Sequence, residues 1–491
     1  MQYIFTDTRP LDAACRASYA LTEEIMMENA AMNLERVMRG DSRAAPTGAR
    51  RRVLILCGKG NNGADGYALA RRLRPDCDVA VLQCAPPQSE LCKTQAERAA
   101  RCGVRTFSVR DLPAELLQSA AVAVDCVYGS GFHGELDETT RSVMDDVNKA
   151  DCLKISCDVP SGISEDGNAA NGTFRAHVTV AMGALKLSLF SDVAKDLVGT
   201  VVCGDLGVGR GLFESASATV RPAAALLEES DLVLPERSAN NVNKGSFGHA
   251  AVASGEKRGA SVLAARAALS FGAGLVSLVD SRPGGDLASV SVCYPELMVS
   301  SQIPQNTTAI AFGMGLGSLG AVNPYFDLLS ERTDIPCVVD ADALKSGRLA
   351  PFLAARKGNT VLTPHPKEFK EMMRNTGCGD IPLSECVLSR PKLIEDFCRA
   401  FPKTVLLVKG ANTMIGCFDA NTFRLFVNPH GSPALAKGGS GDVLSGMICA
   451  LLAQRRSPLD AALNASLAHA LAGRRAKSTY SLTPQELISL L

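Results

Sequence analysis

The chain has 491 residues, 46% of them hydrophobic and 21% charged, and its 51 lysines and arginines are balanced by 51 aspartates and glutamates. That length is too great for one hydrophobic core and predicts about two domains. Zero net charge excludes a general electrostatic pull toward nucleic acid or a membrane surface.

Met1 to Cys15 contains Asp7, Arg9 and Asp12 and no apolar run, so no signal peptide is predicted there. No stretch has the roughly 20 consecutive apolar residues of a membrane helix. Seventeen cysteines are scattered, several inside apolar runs (Cys57, Cys126, Cys203, Cys337), and none forms a Cys-x-x-Cys pair. This pattern reads as small buried hydrophobes in a reducing, cytoplasmic protein, not as a disulfide framework or a zinc site.

Leu21 to Val37 carries Met26, Met27, Ala30 and Leu34 on one side of a predicted helix. Arg51 to Cys57 then reads as a buried strand, followed by the loop Gly58-Lys59-Gly60-Asn61-Asn62-Gly63-Ala64-Asp65-Gly66 and a helix over 67–73. Strand, glycine loop and helix in that order is how α/β proteins hold phosphates. A tight βα turn would also use two glycines, but it does not need the interleaved asparagines and aspartate.

Further strands are expected over 79–83, 121–127, 153–157, 177–181 and 199–203, with helical segments between several of them. A mostly parallel, helix-covered sheet follows. Three of these strands end in polar clusters: Asp125 to Gly131, Asp158-Val159-Pro160-Ser161-Gly162, and Gly183-Ala184-Leu185-Lys186. Open α/β sheets bind ligands at those carboxyl ends. Each aspartate taken singly could instead cap a turn, but together with Asn61 and Asn62 they point to a pocket.

Residues 212–229 are Ala-rich and punctuated by Pro222 and Pro235, without strand signals, which places a domain boundary near residue 225. The second half opens with a turn feeding a strand over 243–255 and a helix over 261–271 stopped by Gly272-Ala273-Gly274. Strands recur over 275–279, 309–312, 337–339, 360–362 and 405–408. They end in Gly313 to Gly317, Asp340-Ala341-Asp342-Ala343, Thr363-Pro364-His365-Pro366 and Lys409-Gly410-Ala411-Asn412-Thr413. His365 between two prolines is either a rigid exposed turn residue or a ligand contact.

Last comes Lys437-Gly438-Gly439-Ser440-Gly441-Asp442, running into an apolar helix with Val443, Leu444, Met447, Ile448, Leu451 and Leu452 on one face. The glycines let backbone N–H groups approach a phosphate, and the helix adds the positive end of its dipole. Phosphate binding does not call for a carboxylate. Asp442 therefore either caps the helix or takes a proton from a hydroxyl beside a transferring phosphoryl group.

The run ending in Gly441-Asp442, with Thr363 to Phe369, resembles the ribokinase-like dehydratase domain of the bifunctional NAD(P)H-hydrate repair enzymes. Lys59 to Tyr67, Asp158 to Gly162 and Val180 to Lys186 resemble the signatures of their epimerase domain, so the likeness covers nearly the whole chain. It implies an α/β fold in which a Rossmann-like three-layer sandwich, residues 1–225, precedes a ribokinase-like domain, residues 226–491. It implies epimerisation of hydrated NADH and NADPH in the first domain and ADP-dependent dehydration of the S form in the second.

Carried over residue by residue, the resemblance assigns the epimerase substrate to Asn61, Asn62, Gly63, Ala64, Asp65, to Gly129, Ser130, Gly131, Phe132, His133, Gly134, Glu135, and to a catalytic Asp158. Potassium falls to Asn62, Asp125 and Ser161, whose oxygens suit a hard monovalent ion. The dehydratase substrate falls to Ala250, Gly315, His365 and Asp442, with Asp442 catalytic. The nucleotide falls to Lys409, Gly410, Ala411, Asn412, Thr413 and Gly441, with Mg²⁺ accompanying ADP. Two departures from the family pattern stand out: Ala64 replaces a usual glycine, and residues 428–436 differ from the usual Asn-Pro-Gly-Asn-Pro-Gly-Met-Ala. The competing reading is a small-alcohol or vitamin kinase fused to a non-catalytic nucleotide-binding module. A homo-oligomer is compatible with the sequence, which does not fix the oligomeric state.

Overall fold

A computed structural model describes residues 1–44, 50–282, 287–356 and 358–491. They form two compact units, Gln2–Ala224 and Ala225–Leu491 with Met1. Among the described residues no helix is long and apolar enough to cross a membrane.

The first unit contains strands β1 (Gln2–Phe5), β2 (Arg52–Cys57), β3 (Asp78–Gln83), β4 (Arg105–Ser108), β5 (Val122–Cys126), β6 (Leu153–Cys157), β7 (Val178–Met182), β8 (Leu185–Lys186) and β9 (Thr200–Gly204). Seven of them form a parallel sheet in the order β4-β3-β2-β5-β6-β7-β9, while β1 pairs with β8. Side chains alternate across the sheet. Val53, Ile55 and Cys57 of β2 enter one core with the helices Glu23–Gly40 and Asn61–Leu73, and Leu54 and Leu56 enter another with the helix Glu138–Lys149. Burial on both faces explains the unbroken apolar runs and makes this a three-layer sandwich.

The helix after β2 begins at Asn61, so most of the stretch expected to be a glycine loop is helix. Its glycines are there for close packing. A Cβ on Gly63 would stand 2.0 Å from the Gly58 carbonyl oxygen, and one on Gly66 would stand 2.7 Å from Cys57 Sγ. The helix can lie this close to the strand only without side chains at those positions.

The second unit contains β10 (Ala224–Leu226), β11 (His249–Ala253), β12 (Leu275–Val279), β13 (Met298–Ser300), β14 (Ala309–Phe312), β15 (Cys337–Val339), β16 (Thr360–Leu362), β17 (Thr404–Val408), β18 (Thr413–Asp419) and β19 (Thr422–Asn428). The order is β13-β12-β11-β14-β15-β16-β17-β18-β19-β10, parallel as far as β17 and antiparallel through the β18–β19 hairpin. Positive φ at Ala420 and Asn421 gives the two-residue turn the twist such hairpins require. β10 lies in the stretch read as strand-free: it is three residues long, and its partner β19 is remote in sequence.

The helix Ser440–Ala453 is not amphipathic: Val443 through Ala453 are all buried. Gly446 lets it press on the Ala-rich helix Arg258–Ser270, since a Cβ there would meet the Ala264 carbonyl oxygen at 2.0 Å. On the opposite sheet face Phe312 packs edge-on against Phe326, with ring centroids 5.2 Å apart.

Candidate active sites

In the first unit the sheet order reverses between β2 and β5, and the segments leaving their carboxyl ends border a cavity of about 410 Å³. This is where a doubly wound sheet opens for a ligand. The cavity walls include residues from four places. Asn61, Asn62 and Asp65 start the helix after β2, Gly129 to Phe132 follow β5, Asp158 follows β6, and Asp12 belongs to the helix Arg9–Tyr19.

Asp158 has a φ of 69°, an uncommon conformation for a residue with a side chain. The turn aims its carboxylate into the cavity, where both oxygens are held. Oδ1 pairs with Lys186 Nζ at 2.6 Å and accepts from the Met182 N–H at 3.2 Å, and Oδ2 accepts from the Ser130 N–H at 3.2 Å. Lys186 is buried and also donates to the Met182 and Ala184 carbonyls at 2.9 and 3.2 Å. Two further carboxyls share the cavity. Burial pushes Asp12 up to about 6, against the pull of Lys186 and with an added push from Asp158. Burial and then the Asp158 charge push Asp65 well above the ordinary carboxylate range.

Beside this cavity Asp125 is fully buried. Oδ1 accepts from Ser161 Oγ at 2.6 Å and the Val127 N–H at 3.1 Å, and Oδ2 accepts from the Ser161 N–H at 2.7 Å. Asn62 Nδ2 donates to the Tyr128 carbonyl at 2.9 Å, and the Tyr128 N–H donates to Ser161 Oγ at 2.8 Å, so Asn62, Asp125 and Ser161 form one cluster. Burial pushes Asp125 up to about 6. A buried carboxylate with no cationic side chain on it among the described residues, set among oxygen donors, fits a monovalent cation.

In the second unit the loops after β15, β16 and β17 face the start of the Ser440–Ala453 helix. Asp340, buried after β15, accepts from Lys409 Nζ at 3.1 Å, from Ser445 Oγ at 2.7 Å and from the Ala341 N–H at 2.9 Å. Lys409 Nζ also lies 3.9 Å from Glu368 and would be 3.2 Å from a Cβ on Gly441. Gly439 is the helix N-cap, with a φ of 94°, and the N–H groups of Gly441 and Asp442 have no acceptor among the described residues. Two free N–H groups beside an ammonium make an anion site.

Asp442 is the third residue of this helix and makes no capping bond. Burial, reinforced by Asp340 and opposed by Lys409, pushes its carboxyl up to about 7, the range of a base that works near neutral pH. His469, buried in the helix Pro458–Arg474, sits 3.1 Å from Ser440 Oγ and fixes the first residue of the anion loop. Burial lowers this imidazole to about 4, so it stays neutral.

The model of the NAD(P)H-hydrate dehydratase family matches residues 251–491, and that of the YjeF-related protein N-terminus matches residues 23–188. The bifunctional NAD(P)H-hydrate repair enzyme Nnr of Helicobacter pylori is 40% identical over 490 residues, 99% of each chain. The chain belongs to the bifunctional NAD(P)H-hydrate repair enzyme family. The corresponding enzyme of Coxiella burnetii is 32% identical over 437 residues, covering 86% of this chain and 85% of its own. Among solved structures, the ADP/ATP-dependent NAD(P)H-hydrate dehydratase of Bacillus subtilis, co-crystallised with ATP and Mg²⁺, is 29% identical with a TM-score of 0.47, covering 54% of this chain and 96% of that one. Membership along the whole length removes the reading as a small-alcohol kinase fused to a non-catalytic module.

Of the repair-enzyme residues expected from sequence, Asn61, Asn62, Asp65, Gly129 to Phe132 and Asp158 converge on one cavity. Gly63 and Ala64 are buried against the strand instead, and Ala64 therefore substitutes for glycine without reaching the cavity. His133, Gly134 and Glu135 line a neighbouring cavity of about 710 Å³ with Ser164 and Glu165. Ala250 is second in β11, fully buried in the core between β12 and β14, and does not reach the strand ends. Gly315 takes a φ of 62° and meets the Lys257 N–H through its carbonyl at 2.9 Å.

His365 caps the helix Pro366–Asn375 through Nδ1, which accepts from the Lys367 and Glu368 N–H groups at 3.2 and 3.3 Å, and its Nε2 faces Glu368 at 3.2 Å. His365 thus has a capping role made by its side chain. Lys409 lies at the anion loop, Gly410 and Ala411 are exposed, and Asn412 is buried. The divergent 428–436 segment packs on this turn: a Cβ on Gly431 would meet the Ala411 carbonyl oxygen at 2.3 Å. Sequence reasoning missed Asp12, an isolated aspartate in a short helix. It also missed His469, whose one signal was a lone polar residue in the run Ala468-His469-Ala470.

Proposed function

We propose that the protein repairs hydrated NADH and NADPH in two steps. The unit Gln2–Ala224 exchanges the R and S hydrates, and the unit Ala225–Leu491 dehydrates the S form with ADP, leaving AMP and phosphate. The observation that carries the reading is Asp442, a carboxyl held near neutrality beside two free helix N–H groups and Lys409.

Hydroxide is a poor leaving group, so the ring hydroxyl is phosphorylated first. Asp442 takes the hydroxyl proton while the Gly441 and Asp442 N–H groups hold the transferring phosphoryl oxygens. Loss of phosphate, together with a proton from the neighbouring carbon, then restores the ring double bond. Lys409 offsets negative charge at the loop, and Asp340 with Ser445 fixes where its ammonium stands. Mg²⁺, when bound with the nucleotide, neutralises further phosphate charge. In the first unit Asp158 moves protons on the oxygen exchanged at the hydroxyl-bearing carbon. K⁺ would be held by Asn62, Asp125 and Ser161 and would supply a fixed positive charge at the edge of the cavity. The seventeen free thiols support a reducing, cytoplasmic setting.

The test is racemic NADPH hydrate with ADP or ATP, following the return of dihydronicotinamide absorbance. The native chain should recover all of the cofactor. Asp158→Ala should recover the S portion at the native rate and then slow to spontaneous exchange. A variant that consumes both epimers as fast as the native chain would remove Asp158 from the reaction.

A further inference from the structure

The cavity of the first unit holds more acid–base capacity than one aspartate. It is lined by Asp12, Asp65 and Asp158, each from a different element: the helix Arg9–Tyr19, the helix Asn61–Leu73 and the turn after β6. Asp158 is held in place by Lys186, Ser130 and Met182, which orient its oxygens without preventing them from accepting a further proton, and Lys186 is itself held by Asp158 and two carbonyls. Asp12 is not: among the described residues no hydrogen bond or ion pair holds its carboxyl.

One route that reverses the configuration of a hydroxyl-bearing carbon next to nitrogen removes the hydroxyl from one face and returns it to the other. Water adds across an enamine double bond with its oxygen on the carbon next to nitrogen. The reverse step is therefore open: the nitrogen lone pair forms C=N as the C–O bond breaks. The departing oxygen needs a proton and the returning water must lose one, so two groups are required.

We propose that Asp12 is the second acid–base residue of the epimerase cavity and the partner of Asp158, an inference that rests on the epimerase reading above. Asp12 donates its proton to the leaving hydroxyl, which departs as water with the C–O electron pair. A water on the other face then adds to the C=N carbon, the C=N electrons return to nitrogen, and Asp158 takes the proton. The two carboxyls finish with exchanged protons, ready for the opposite direction, so neither oxidant nor co-reactant is needed. The charges facing Asp12 are Lys186 and Arg16, which favour its anion, and Asp158 and Asp7, which oppose it; Asp65 and Glu23 also line the cavity. Their sum with burial leaves Asp12 protonated to about pH 6, higher than a surface aspartate.

The experiment is R/S exchange of NADPH hydrate in the full chain, resolved chromatographically across pH, for native, Asp12→Asn and Asp12→Glu proteins. Asp12→Asn should lower kcat for exchange by at least about 100-fold, with KM within a few-fold of native, ADP-dependent dehydration of the S form unchanged, and one limb of the pH profile lost. Asp12→Glu should recover part of the rate and bring that limb back at a shifted pH. Near-native exchange by Asp12→Asn, or a change confined to KM, overturns the assignment. If Asp12→Asn fails to fold, Asp12→Glu decides alone: a rate below native with an unshifted pH profile means a structural role. A native chain that dehydrates the S form but exchanges no epimers overturns the epimerase reading itself, and with it this role.

Discussion

Replacing Asp442 with asparagine separates what this carboxylate costs the fold from what it contributes to the reaction. Burial, with Asp340 adding to it and Lys409 opposing it, holds the carboxyl at about 7 in the folded protein. An unfolded chain holds an aspartate near 3.9. The folded state therefore takes up a proton as pH falls through about 7, while the unfolded state stays ionised to about 4. The stability contributed by that proton is complete below about pH 4 and lost as pH rises through about 7. Raising the carboxyl from near 4 to about 7 corresponds to roughly 4 kcal/mol, which solvent screening at a part-buried site reduces to about 2–4 kcal/mol.

An asparagine escapes the penalty at every pH. Asp442→Asn should melt higher than native at pH 8 and converge with it near pH 4. The same variant should bind nucleotide, since the backbone N–H groups and Lys409 that make the anion site are unchanged, yet dehydrate at least about 100-fold more slowly. The native rate should rise with pH around a midpoint near 7. Thermal melts at several pH values and absorbance recovery from S hydrate measure both. A variant that is destabilised at pH 8, or that turns over near the native rate, refutes the account of Asp442 as a buried, proton-accepting carboxyl.

Asp125→Ala should remove a bound monovalent cation: a crystal soaked with rubidium should give an anomalous peak beside Asn62 and Ser161 in the native protein and none in the variant. Gly63→Ala should destabilise the first unit by about 1–3 kcal/mol, because its Cβ would stand 2.0 Å from the Gly58 carbonyl oxygen. Gly60→Ala meets nothing within 4 Å, and its melting temperature should stay near native.

The central parallel strands were legible because they are buried on both faces, which forces continuous apolar runs such as Val53–Cys57 and Val405–Val408. Their order fixes polar residues at the carboxyl ends, so Asp158 and Lys409 could be named from the sequence, and Asp442 from the glycine run that precedes its helix. The extent of the helix after β2 could not. Glycine lowers helix propensity locally, and only contact with Gly58, Cys57 and Cys126 explains why Gly63 and Gly66 are inside a helix. β10 was hidden for a related reason, since three residues become a strand only when a distant β19 pairs with them.

Sequence likewise carried the chemistry of single residues but not their charge states. Asp442 beside a glycine run announces either a cap or a base. Its lack of a capping bond and the nearness of Asp340 and Glu368, both brought by other strands, are what hold its proton near neutrality. Asp12 has no motif around it. Its place in the same cavity as Asp158 exists only because the helix Arg9–Tyr19 lines that cavity, and a carboxyl's affinity for protons depends on desolvation and neighbouring charges that chain order does not reveal.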